Sequence, residues 1–169
     1  MELLKKEQNQ AKKLGFEKLE TAEMVTSLNK VLATYQVFFH KLQNFHWNTV
    51  GGDFFDVHEL TEELYKNALE NIDEIAERIR VFGQIPEGKL SEYLQNSIVK
   101  ECSTQKSADF MISNLIQDLE HLTETILHAH EQASLNGDVG TGYMMSKMLK
   151  EIETYHWKLS AWANRKFAV

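Results

Sequence analysis

Helix breakers are scarce in this chain, and they cluster. Eight glycines and one proline occur in 169 residues, where average usage would give roughly 20. Apart from Gly15 they fall at 51–52, 83–88 and 137–142. So few obligatory turns exclude a fold of many short strands joined by Gly/Pro turns. The three clusters instead read as the joints between four long segments. With 43% hydrophobic residues, a chain of this length can bury most of its apolar surface, and low complexity and disorder are excluded over most of it.

The segments carry helical periodicity. Val25, Leu28, Leu32, Tyr35, Phe39 and Leu42 recur at spacings of three and four, and His46 is the next step on the same stripe. Asp53 is the expected N-cap of a second helix over about 54–82. That helix has one apolar stripe (Val57, Leu60, Leu64, Ala68, Ile72, Ile75, Ile79) and a second line formed by His58, Glu62, Tyr65, Leu69, Asp73 and Ala76. Its third face carries Glu59, Glu63, Glu70 and Glu74. A helix with two faces to bury points to a partner subunit. Residues 89–103 predict a long connection with a short helix near Leu90–Leu94. A third helix follows from Ala108, Ile112, Leu115, Leu119, Leu122, Ile126 and Ala129, and residues 136–142, with their three glycines, are expected to end it. The fourth carries Met145, Met148, Ile152, Tyr155, Leu159 and Trp162. The expected architecture is all-α: an extension over 1–20 and a single four-helix bundle over 21–169.

Other classes are excluded by composition. No window approaches the ~18 uninterrupted apolar residues of a membrane-spanning helix. The N-terminus lacks the apolar core and cleavage site of a secretory signal. Cys102 is the only cysteine, so an intrachain disulfide framework is impossible, and the expected compartment is the reducing cytoplasm. The net charge of −7 gives no general attraction to nucleic acid. The first 20 residues mix five lysines with four glutamates, which reads as a solvated helical extension with at most a weak DNA-tethering capacity.

Chemistry enters through combinations of residues. His58 and Glu62 are four apart and share a helix face, as do Asp73 and Glu77. His46, at the end of the preceding helix, can approach His58 if the first two helices form a hairpin. Two imidazoles with carboxylates suit a first-row metal such as Fe(II), and carboxylates also favour the Fe(III) product. The absence of sulfur ligands argues against zinc–thiolate and iron–sulfur centres. His58 and Asp73 are separated by about 22 Å of helical rise. They can share a metal only across a twofold axis, with two copies of the second helix antiparallel. Taken singly, His46 could cap or pack, and Glu77 could pair with Arg78 or Arg80. Asp73, mid-helix, is the hardest to read as structural, because Asp is a poor helix former.

The segment NFHWNTVGGDFFDVHELTEELY, followed by IDEIAERIRVFGQIPEG, resembles the signature of the Dps family, the mini-ferritins that protect DNA during starvation. The resemblance extends over about residues 20–167. It implies a ferritin-like bundle assembled into a spherical dodecamer. It further implies an oxidoreductase, a ferroxidase that oxidises Fe(II) to Fe(III) between twofold-related subunits, preferably with hydrogen peroxide, and stores the ferric mineral inside, protecting DNA from oxidative damage. On it, His46 and His58 come from one chain and Asp73 and Glu77 from its partner, and Glu62 stands where the family also places a carboxylate ligand. Glu59 and Glu63 match cavity-facing positions where mineral can nucleate, and Trp47 lies beside the site. The family often lines its threefold pore with an acidic pair; Asp138 fits the first position and Tyr143 replaces the second. Association with the nucleoid would follow only if DNA is bound.

Two rival readings remain open. Asp118-Leu-Glu-His121 and Glu153-Thr-Tyr-His156 have the spacing of a di-iron centre inside one bundle. A metal-free architectural bundle that binds DNA is the other, and its basic surface would have to lie in the N-terminal arm.

Overall fold

The computed structural model describes residues 18–103 and 106–164; the N-terminal extension lies largely outside the described residues. Helix α1 spans Lys18–Asn48, α2 Phe54–Val81, α3 Leu90–Asn96, α4 Ala108–Leu135 and α5 Val139–Ala163. No strand occurs among the described residues. No described helix is long and apolar enough to cross a membrane.

The chain folds as two hairpins, α1 with α2 and α4 with α5, and α1 also packs on α4 and the short α3. Because α1 meets three neighbours, its buried surface is wider than one stripe. Leu28, Leu32, Tyr35 and Leu42 are buried as the periodicity predicts, and so are Met24, Val31, Phe38 and Phe45, while Val25 and Phe39 are only partly covered. On α4 the expected residues from Ile112 to Ala129 are all buried. Each such leucine or isoleucine contributes about 1.5–3 kcal/mol by leaving water.

The joints use the clustered glycines unequally. Gly51, Gly83 and Gly137 have φ of 99°, 71° and 64°, a left-handed backbone that residues with a Cβ adopt only at a cost. Gly140 and Gly142 lie in the first turn of α5 and do not belong to the turn that ends α4, a correction to the sequence expectation. Asp138 caps α5 by accepting from the Thr141 amide at 3.1 Å, and Arg78 binds the same carboxylate oxygen at 2.6 Å. A Cβ on Gly140 would lie 3.0 Å from the Arg78 guanidinium, so only a residue without one leaves that arginine room as it stands. Asp138 is thereby buried and engaged, not displayed. Asp53 occupies the N-cap position of α2 but its side chain makes no capping bond.

The hairpins also meet along a polar seam between α2 and α5. Glu63 accepts from Tyr155 Oη at 3.2 Å and Lys158 Nζ at 3.0 Å. Asn67 and Asn71 donate to Glu151 at 3.0 and 3.4 Å. Lys147 bonds Glu74 at 3.1 Å, and Arg78 Nε bonds Thr141 at 2.9 Å. Positions rise along α2 as they fall along α5, the register of an antiparallel pair.

Candidate metal centre

The joint between α1 and α2 brings together the residues that carry metal-binding chemistry. His46 lies in the last turn of α1 and His58 in the second turn of α2. The His46 Nδ1 lies 2.8 Å from the carbonyl oxygen of His58, and the His58 Nδ1 lies 3.0 Å from the carbonyl oxygen of His46. A carbonyl can only accept, so both Nδ1 atoms carry hydrogen. In the neutral rings both Nε2 atoms then hold their lone pairs outward, the tautomer a metal requires.

Packing fixes the ring planes. The two imidazoles stack with centroids 3.8 Å apart and planes 20° from parallel. Phe54 also stacks on His58 at 4.9 Å, and Tyr65 and His46 meet edge-to-face at 5.3 Å. His46 is buried and His58 half-buried. Glu62, one turn beyond His58, completes a group whose ligand atoms all lie within 4.8 Å of one another. It is the only group of three or more such side chains among the described residues. Two imidazoles and a carboxylate fit Fe(II) or another first-row divalent ion. The carboxyl of Glu62 is held below its ordinary range, chiefly by a hydrogen bond from Lys66, then by the Lys66 charge, with smaller contributions from His46 and His58.

The other expected ligands lie elsewhere. Asp73 and Glu77 are exposed further along α2, and neither forms an ion pair among the described residues. Glu59 is exposed, whereas Glu63 is tied to Tyr155 and Lys158. Trp47 is 69% exposed beside the joint. Within the bundle, Asp118 is buried against Lys41, Glu153 is exposed, and His156 faces Glu120 at 3.4 Å. The motifs around His121 and His156 therefore do not converge on one centre. Lys66, Phe54 and Tyr65 were not singled out by sequence reasoning as parts of the site. The signal for Lys66 was its four-residue spacing from Glu62.

Comparison with known proteins sets this geometry in a family. The Ferritin-like domain model matches residues 25–166. DNA protection during starvation protein 2 of Bacillus anthracis is 35% identical over 143 residues, covering 85% of this chain and 98% of the relative. The chain belongs to the Dps family. A second relative, the DNA protection during starvation protein of Brevibacillus brevis, is 35% identical over 79% of this chain and 90% of its own length. Among solved structures, the Dps protein of Vibrio cholerae O1, described as a member of the ferritin-like diiron-carboxylate superfamily, gives a TM-score of 0.84. It is 32% identical and covers 87% of this chain and 92% of that one. Dps from Staphylococcus aureus gives 0.81 at 36% identity, over 84% and 95%. As a Dps family member the chain has the ferritin-like four-helix bundle, with the extra short helix α3 in the connection between hairpins.

Proposed function

We propose that the protein is an iron-storing ferroxidase: it oxidises Fe(II) with hydrogen peroxide at sites shared between twofold-related subunits and holds the ferric product inside a shell of about twelve copies. The observation that carries this reading is the reciprocal bonding of His46 and His58. It commits both Nδ1 atoms to the backbone and leaves two Nε2 donors beside Glu62.

Three donors from one chain are a half-site. Asp73 lies about 22 Å of helical rise from His58, so it serves a site only in a second copy. Two α2 helices packed antiparallel bring Asp73 and Glu77 of the partner subunit to His46, His58 and Glu62, and the same operation builds a twin site. The exposed Leu69, on the line between Glu62 and Asp73, is the kind of residue such a contact covers.

Fe(II) is the substrate here. Peroxide needs two electrons and two protons to become two waters, and two ferrous ions each supply one electron. Paired delivery avoids the one-electron step that releases hydroxyl radical. The imidazoles bind without adding charge, and the carboxylates offset the charge gained on oxidation. Protection of DNA follows from removing ferrous iron and peroxide together, and needs no DNA contact. The expected setting is the cytoplasm.

The test is stopped-flow oxidation of Fe(II) by peroxide with light scattering on the same preparation. A particle of about twelve subunits and a rate lost in His58→Ala are expected. A monomer with full activity would overturn the intersubunit site.

A further inference from the structure

The carboxylate that completes the half-site is already engaged. Glu62 Oε1 lies 2.5 Å from the ammonium of Lys66, one turn further along α2. Lys66 makes no other hydrogen bond or ion pair among the described residues, and its side chain is 62% exposed in the single chain. Resting on the metal-site reading above, we propose that Lys66 is a built-in competitor for the incoming cation: its ammonium holds Glu62 until Fe(II) displaces it, and so sets the affinity of the site for divalent ions.

Three features support this. First, the geometry joins both partners at one group. Glu62 lies within metal-ligand reach of His46 and His58 and within hydrogen-bond reach of Lys66. A divalent ion between the imidazoles and Glu62 would put a second cation next to the ammonium, and the repulsion drives the ammonium away.

Second, the ammonium has somewhere to go. Glu70 lies four residues beyond Lys66, is exposed and forms no ion pair among the described residues. The order Glu62 then Lys66 is the stronger orientation of an i,i+4 pair, so the ammonium returns to Glu62 when the metal leaves.

Third, the dimer sharpens the competition. The register that sets His58 opposite Asp73 of the partner subunit places its midpoint between residues 65 and 66. Lys66 then sits beside the twofold axis, next to its own symmetry copy. Two ammonium groups so placed each need a counter-charge, and Glu62 supplies it. An ordinary surface pair changes affinity by about one- to fivefold, and a pair confined at an axis should reach the upper end of that range.

Anaerobic calorimetry of the assembled full-length protein with Co(II) as the probe tests this. Lys66→Gln should bind Co(II) about fivefold more tightly than the parent at low salt. The gap should close as KCl is raised, because salt screens the ion pair. Lys66→Arg keeps the charge and should stay within about twofold of the parent. Lys66→Ala provides a second neutral variant should Lys66→Gln fail to assemble. Neutral variants that bind no more tightly than the parent, while parent binding still depends on His58, overturn the proposal. Parent binding of Co(II) that survives His58→Ala would instead overturn the metal-site reading itself.

Discussion

Lys41 and Asp118 meet inside the bundle, with Nζ 2.9 Å from Oδ1 and 2.7 Å from Oδ2 and both side chains almost fully covered. Asn114 accepts from the same ammonium at 3.0 Å. Two of the ammonium hydrogens are therefore taken by acceptors on α4, and the second Asp118 oxygen is held by charge. Burial raises the Asp118 carboxyl, and the Lys41 charge opposes the rise. A protein cation thus stands beside the acid that an intrasubunit di-iron centre would need.

Removing one member of this pair leaves a buried charge alone. Lys41→Met should lower unfolding free energy by about 3–5 kcal/mol, whereas Lys41→Met with Asp118→Leu should recover most of the loss. Chemical denaturation at fixed subunit concentration measures both, and a single variant as stable as the double would contradict the account.

Iron oxidation should separate the two candidate centres. His58→Ala removes an Nε2 donor and should slow peroxide-driven oxidation by at least about tenfold. His121→Ala should change it by less than about twofold, since His121 belongs to no ligand group among the described residues. The reverse ranking, read as Fe(III) absorbance in stopped flow, would move the chemistry into the bundle.

Alkali should loosen the polar seam. Burial, then the negative charge of Glu63, pushes the Tyr155 phenol up to about 12. A proton held more tightly by the folded state gives stability that is complete below the ordinary tyrosine range and is lost as pH rises through the folded value. Stability should therefore fall between about pH 10 and 12. Phenolate absorbance should show Tyr155 ionising late, and Tyr155→Phe should remove that component. Lys147, raised by its bond to Glu74, titrates in the same sense.

DNA retention should be weak. The net charge is −7, and lysines and glutamates alternate in the first 20 residues. Gel retardation over a salt series should show at most a complex that dissolves near physiological ionic strength. A complex stable there would assign the arm a stronger role.

Much of the fold was legible because four helices need only periodicity and breaks. On α4 the periodicity is read most fully: from Ile112 to Ala129 one stripe makes one buried face. It was less complete on α1, where contact with three helices buries Val31 and Phe38 off the predicted stripe. At the third joint, glycines were read as turn residues, yet Gly140 is helical and its missing Cβ makes room for Arg78. His46, His58 and Glu62 could be nominated from spacing. The crossed bonds from each ring to the opposite backbone could not, since they depend on the path of the chain between residues 48 and 54. The engagement of Glu63 by Tyr155 and Lys158 was equally invisible, because those partners are more than 90 positions away.

Those crossed bonds carry one more consequence. Each histidine anchors through Nδ1 and offers Nε2, so the atom that fastens the hairpin and the atom free for a ligand are different atoms of one ring. An ion arriving at or leaving Nε2 would find the turn between the helices already fastened, and would leave its hydrogen bonds in place.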